Sequence, residues 1–330
     1  MTPNNVLVTG GAGYIGSHTV KELLRRGFNV VTLDDLSTGH REAVRGGVFI
    51  QANLRDIDAV RQTLSNHPVD AVVHFAASCC VGESVKEPMK YYENNVLCGL
   101  NLLAAMVERK VRVIIFSSTA AVYGDPMEIP ITEEHLQIPI NPYGQTKSLF
   151  EDILKSHERI HGMRHVSLRY FNAAGGDPDG EIGENHNPET HLIPLALDAA
   201  LGRLQHLEIF GSDYDTPDGT CIRDYIHVTD LADAHIRCLQ HLLDGGPSKA
   251  YNLGTGNGYS VKEVIDVAER ITKRAIPRVN SPRRPGDPPR LVASAEKIRS
   301  ELGWSPKHSA LDEILATAWK WQRKLRGCGE

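Results

Sequence analysis

Apolar residues fall along this chain in two rhythms. Short unbroken runs at 6–8, 29–33, 48–52, 70–77, 111–116 and 165–171 suit strands of a parallel sheet covered on both faces. Between them the apolar positions recur at helical spacing. They do so over 14–24, at Ile57, Val60 and Leu64 beside Arg61, over 142–154, and in a long segment after Pro88. That long segment is expected to bury Tyr92, Val96, Leu100, Leu103, Met106 and Val107. Strict alternation of strand and helix predicts an α/β fold, a Rossmann-type doubly wound parallel sheet with right-handed connections.

The texture changes beyond Asn172, where residues 173–189 are dominated by glycine, proline and polar side chains. Helices are expected at 192–201, 230–243, 261–271 and 311–321, and strands at 207–210 and 250–253. At 330 residues the chain exceeds one ordinary compact core, so two domains are expected. The first covers 1–173 and is re-entered by about 224–253; the second, a smaller α/β domain, covers 174–330.

The first strand runs into Gly10 Gly11 Ala12 Gly13 Tyr14 Ile15 Gly16. Glycines between a strand and a helix permit a tight turn, let backbone approach a pyrophosphate, and leave helix N-terminal amides facing the anion. Gly11, Gly13 and Gly16 match G-x-G-x-x-G, while Gly10, Gly13 and Gly16 match the wider G-x-x-G-x-x-G. The second strand ends in Asp34, placed to accept from the adenine ribose hydroxyls and to repel a 2′-phosphate, which favours NAD over NADP. Its plainer reading is a solvated turn acid, like Asp35 beside it.

Strand five runs into Ser117 Ser118 Thr119, and Tyr143 and Lys147 lie four residues apart at the start of a helix. That spacing stacks the two side chains on one face. A phenol with an ordinary pKa near ~10 is a poor base at neutral pH; a neighbouring ammonium and a positive nicotinamide ring would stabilise its phenolate. Thr119 could hydrogen-bond the same substrate oxygen. In the plainer reading Tyr143 is a core aromatic, Lys147 an exposed helix lysine, and His74 a strand-end core residue.

Formal charge is −5 with mixed signs, which gives no reason to expect nucleic acid or a membrane surface as partner. The six cysteines show no repeated C-x-x-C spacing, so free thiols in a reducing compartment and no metal are expected. The start lacks a signal-peptide pattern and no apolar run reaches membrane length, so a cytoplasmic location is expected.

The glycine stretch, Ser117–Thr119 and Tyr143 to Lys147 resemble the extended short-chain dehydrogenase/reductase family across nearly the whole chain. Val81–Ser84, Tyr91–Asn95, Arg169–Asn172, Pro217–Thr220, Arg223–Val228 and Arg283–Asp287 resemble its UDP-sugar 4-epimerases. The resemblance implies a homodimer holding NAD through turnover. It implies hydride removal from C4 of UDP-glucose or UDP-galactose, turning of the 4-keto sugar, and hydride return to the other face. It makes Tyr143 the base, Lys147 the holder of the nicotinamide ribose, and Thr119 the occupant of a place often held by serine. Cofactor contacts are expected from Gly10, Gly13, Tyr14, Ile15, Gly16, Asp34, Asn53, Leu54, Phe75, Ala76, Ala77, Asn94, Ser117, Tyr143, Lys147 and Tyr170. Substrate contacts are expected from Thr119, Tyr143, Asn172, His191, Leu192, Phe210, Arg223, Arg284 and Asp287, the arginines meeting the diphosphate.

Three positions depart from the family's habits. Ala52 Asn53 replaces a common Gly-Asp, Cys79 replaces a lysine usual after the fourth strand, and Leu291 stands where some members carry tyrosine. Leu291 near the sugar predicts room for an N-acetyl group. Ala120 and Ala121 beside Thr119 speak against a 4,6-dehydratase, which needs an acid and a base there. A UDP-glucuronate 4-epimerase or a non-catalytic NAD-binding regulator are the alternatives, the second disfavoured by Thr119, Tyr143 and Lys147 together.

Overall fold

The structure is a computed structural model and describes residues 4–284 and 287–328. The first half alternates as the hydrophobic pattern requires: β1 (Asn5–Thr9), α1 (Tyr14–Arg25), β2 (Asn29–Asp34), β3 (Val48–Gln51), α2 (Ile57–Asn66) and β4 (Ala71–His74). Short helices α3 (Val81–Lys86) and α4 (Pro88–Tyr91) follow, then a π-helical turn (Tyr92–Leu97), α5 (Cys98–Glu108), β5 (Val113–Thr119), α6 (Pro142–His161) and β6 (Arg164–Tyr170). The second half carries β7 (Asn172–Ala174), α7 (Leu192–Ala200), β8 (Leu207–Phe210), β9 (Ile222–Arg223), β10 (Tyr225–His227), α8 (Val228–Leu243) and β11 (Lys249–Leu253). It ends with β12 (Tyr259–Ser260), α9 (Val261–Thr272), β13 (Arg278–Ser281), β14 (Arg290–Leu291), α10 (Glu296–Leu302) and α11 (Leu311–Leu325).

Seven strands form one sheet in the order β11-β6-β5-β4-β1-β2-β3, every neighbouring pair parallel. Successive side chains point to opposite faces. Val6, Val8, Val113 and Ile115 join one core with α1 and α8, while Leu7, Ile114 and Phe116 join another with α2, α5 and α6. Strand order reverses between β1 and β4, which opens a crevice at their carboxyl ends where ligands of such sheets bind. Segment 250–253, expected as a strand, returns to the sheet as β11 beside β6. A third core lies among α7, α9, α11 and β8.

Two expectations need correction. Along 91–107 the buried positions are Tyr91, Asn95, Cys98, Gly99, Leu102, Leu103, Ala105 and Met106, whereas Leu100 is exposed and Tyr92 and Val96 are half-buried. The π turn is wider than an α turn and shifts the register of the buried face. Strand five also extends through Thr119, because Ser117, Ser118 and Thr119 pair with Leu168, Arg169 and Tyr170 of β6.

Beneath the carboxyl ends of β5 and β6 lies a buried ion pair. Arg169 donates to Glu151 of α6 from Nε (3.0 Å) and NH2 (2.6 Å), and Ser118 donates to the same carboxylate (2.6 Å). Arg169 also donates to the Tyr123 hydroxyl (2.8 Å), which donates in turn to Asn252 of β11 (2.7 Å). Removing one member of such a pair strands the other charge away from water, at about 3–5 kcal/mol. Glu151→Ala should lower the unfolding free energy by that amount in urea titration; a loss under about 1 kcal/mol would show the pair to be no better than a surface one.

Candidate active site

The glycine loop closes the crevice between β1 and β4. Gly10 has φ +73°, and a Cβ there would lie 2.5 Å from the Ala76 amide nitrogen. A Cβ on Gly16 would strike the Gly10 carbonyl oxygen, so the chain can turn and the helix can dock only without side chains at these two places. Gly13 is the N-cap of α1, and its first turn has no side-chain cap and no acidic residue. The amides of Tyr14, Ile15 and Gly16 are therefore available to an anion. Gly11 is hemmed in as well, since a Cβ there would lie 2.7 Å from the Thr32 side chain of β2, whereas a Cβ on Gly13 would meet only the Gly10 carbonyl oxygen at 3.4 Å.

Asp34, buried at the end of β2, accepts from the amides of Ala12 and Leu36, both at 2.9 Å. Burial raises its pKa and those backbone bonds oppose the rise. Asn53 donates to Asp35 (2.7 Å) and accepts from the Arg55 amide (2.8 Å). The Leu54 side chain is buried in the core, leaving its backbone as the part able to meet a ligand. Phe75 and Ala76 donate their amides to the Thr9 carbonyl, Ala77 is half-buried beside them, and Asn94 on the π turn donates to Ser78 (3.0 Å). Uncapped amides, a cradle without side chains and a carboxylate one strand away fit NAD.

Lys147 is 3 % exposed, donates to the Ser117 carbonyl (2.8 Å), and sits 6.0 Å from the centre of the Tyr143 ring and 4.9 Å from that of Phe116. Burial lowers its pKa to about 8, against the opposing fields of Cys79 and Glu151. Burial pushes the Tyr143 phenol well above its ordinary value, Cys79 adds to the rise, and a hydrogen bond with Thr119 opposes it. Asn141 caps α6 by accepting from the Gly144 amide (2.9 Å), and Pro142 opens the helix, which sets Tyr143 in its first turn. Thr119 in turn accepts from the Ala121 amide (3.1 Å). Tyr170 and Ser117 share a hydrogen bond between their hydroxyls. His74 is buried, bonded to Thr9 (2.7 Å), with its pKa lowered to about 3 by burial, so it is a core residue.

A second group gathers around β8 and β9. The Arg284 guanidinium lies 4.0 Å over the Phe210 ring, and Arg223 is ion-paired with Asp287. Arg283 instead turns to Asp213 (2.8 Å) and the Tyr214 ring (4.3 Å). Pro285 and Gly286 of this block lie outside the described residues. Asn172 opens β7, its amide donating to the Asp224 carbonyl (3.0 Å). Leu192 opens α7 with His191 as its N-cap. His191 is half-exposed, and its Nδ1 lies 2.5 Å from Glu184. Leu291 is half-buried and, like Phe171, packs against the cluster of Val122, Tyr123 and Ile131.

Sequence reasoning missed residues that act through others. Asn95 ties the π turn to α6: it accepts from the Ser78 amide (2.8 Å) and donates to the Ser78 carbonyl and to Thr146, both at 3.0 Å. Cys79, read only as a missing lysine, is an exposed free thiol. Glu184, His186 and Glu189 also went unread, although the spacing Glu-x-His-x-x-Glu-x-His was visible in the chain.

The chain matches the NAD dependent epimerase/dehydratase family over residues 6–254. It is 51% identical over 319 residues to a UDP-glucose 4-epimerase of Halalkalibacterium halodurans, covering 97% of this chain and 96% of the relative. Among solved structures it resembles a UDP-glucose 4-epimerase from Brucella ovis in complex with NAD, with TM-score 0.94, 51% identity, and 96% and 97% of the two chains covered. It also resembles one from Bifidobacterium longum in complex with NAD+ and UDP, with TM-score 0.94, 40% identity, and 98% and 100% covered. With the glycine cradle, the strand-end carboxylate and the Tyr143–Lys147 pair in one crevice, the chain belongs to the NAD dependent epimerase/dehydratase family.

Proposed function

We infer that this chain is an NAD-dependent isomerase that interconverts UDP-galactose and UDP-glucose by inverting C4 of the sugar. The observation that carries the reading is the meeting of Thr119, Tyr143 and Lys147 at the carboxyl edge of β5, beside a cradle shaped for a dinucleotide. Bound NAD supplies a reversible hydride acceptor at C4.

The chain's own groups move the proton. Tyr143 takes it from the C4 hydroxyl and later returns it to the 4-keto sugar, while Thr119 hydrogen-bonds the same oxygen. Lys147 holds the nicotinamide ribose and places a positive charge beside the phenol, which lowers the cost of its ionisation. The Rossmann part, 1–173 with the return at about 224–253, holds the cofactor through Tyr14, Ile15, Asp34, Asn53, Asn94 and Tyr170. The remainder of 174–330 holds UDP, with Arg223 and Arg284 on the diphosphate and Phe210 against the nucleoside. Pairing with Asp287 holds the Arg223 fork in one orientation.

Leu291, shorter than a tyrosine and packed against Val122, leaves space beside the sugar for an N-acetyl group, so N-acetylated UDP-hexoses are substrates as well. The working unit is a homodimer. Leu97 and Leu100, around the π turn and α5, and Leu149, on the neighbouring α6, are exposed apolar residues suited to a second copy. Six unpaired cysteines suit a reducing cytoplasm. Among the described residues no helix is long and apolar enough to cross a membrane.

Proton NMR of the purified protein with UDP-galactose and no added NAD or metal should show UDP-glucose growing to an equilibrium mixture. Tyr143→Phe should lower kcat by about 10²–10⁴-fold. An unmoved spectrum even with NAD supplied, or a fully active phenylalanine variant, would overturn the reading. Leu291→Tyr should cut turnover of UDP-N-acetylglucosamine at least about tenfold more than that of UDP-glucose; equal losses would refute the N-acetyl assignment. In sedimentation equilibrium the native chain should run as a dimer and Leu100→Glu as a monomer, because the new carboxylate would be buried unpaired.

A further inference from the structure

Four side chains, of which only His191 was expected at the substrate, converge on the segment between β7 and α7. Glu184, His186, Glu189 and His191 each offer one ligand atom, and these atoms all lie within 4.8 Å of one another. Both histidines present Nδ1 to the same two carboxylates. His186 Nδ1 lies 3.3 Å from Glu184 and 3.6 Å from Glu189, while His191 Nδ1 lies 2.5 Å and 3.5 Å from them. A tetrahedral zinc ion with nitrogen and oxygen ligands at about 2.0–2.2 Å sets those ligand atoms about 3.3–3.6 Å apart. The four nitrogen-to-oxygen contacts run from a 2.5 Å hydrogen bond to 3.6 Å, with Glu189 using both of its oxygens, so the four groups are near enough for small side-chain rotations to close them on one ion.

The surroundings point the same way. His186 Nδ1 is shut off from solvent and has no hydrogen-bond partner, although it sits between two carboxylates. An orphaned buried nitrogen of this kind calls for an explanation. Two carboxylates balance a dication, and two imidazoles complete an N2O2 set. Calcium and magnesium prefer six or more oxygens, whereas imidazole with carboxylate suits zinc and its neighbours.

We propose that Glu184, His186, Glu189 and His191 form a binding site for one divalent metal ion of the zinc class. The cysteine spacing gave no reason to expect a metal; it is the fold that brings the two Glu-x-His pairs face to face. On binding, the ion displaces protons from the imidazoles to solvent and undergoes no redox change. It acts as a clamp. The His186 ring meets Tyr14 of the glycine loop edge-on at 6.3 Å, and His40 hydrogen-bonds the Asn185 carbonyl (2.9 Å), so the ion fastens this segment over the start of α1. His191, next to Leu192 at the start of α7, is held in place by the same ion.

The test uses the full chain without a histidine tag, stripped with a chelator and dialysed against Zn2+, Co2+, Mg2+ or Ca2+. Elemental analysis should find about one zinc per chain, the cobalt form should show the visible absorption of a tetrahedral site, and zinc should raise the melting temperature. His186→Ala should weaken zinc binding by more than about 100-fold, and Glu189→Gln by about 10–100-fold, and neither should gain thermal stability from zinc. Circular dichroism checks that each variant folds, and if the alanine variant does not, the glutamine variant decides. Less than about 0.1 zinc per chain, undiminished zinc in folded variants, or binding of Mg2+ or Ca2+ in preference to zinc would overturn the proposal. Each readout is independent of epimerase activity.

Discussion

The ion pair between Arg169 and Glu151 is the constraint from which the site hangs. Both side chains are almost wholly buried, and two charges out of water are tolerable only when every donor and acceptor is matched. Ser118, Tyr123 and Asn252 supply the matches. One network thereby locks β5, β6, β11 and α6 together. Because α6 carries Tyr143 and Lys147 and β5 carries Thr119, the groups proposed to react inherit their spacing from a structure built one layer below them. Asn95 repeats the device on the other side, joining the π turn to Thr146, next to Lys147.

Burial dominates the electrostatics of the centre. It penalises the ammonium of Lys147 and the phenolate of Tyr143 alike, pulling the first down and pushing the second up. Neither shift alone makes a base at neutral pH. The pair becomes useful when positive charge is added beside it, because the low dielectric that penalises an isolated charge also strengthens attraction between opposite ones.

The second half of the chain works through cross-connections. Arg223 comes from β9 and Asp287 from a segment 64 residues later, and Arg284 stacks on Phe210 from β8. The strands involved are short, two to four residues, so side-chain pairing contributes much of the definition.

Much of the first half was legible in the sequence. Unbroken apolar runs, helical spacing and the glycine stretch are local patterns, and they determined the parallel sheet, the cradle and the Tyr143–Lys147 face. The hydrophobic pattern misplaced the buried face around Val96 and Leu100, because a π turn leaves no signature in residue type. It also ended β5 before Ser117, because pairing with β6, not polarity, decides where a strand stops. Tertiary structure alone paired Arg169 with Glu151, diverted Arg283 to Asp213 while leaving Arg284 on Phe210, and turned two Glu-x-His pairs toward each other. Each of these depends on contacts between segments distant in the chain or on the path of an irregular loop, and neither periodicity nor composition carries that information.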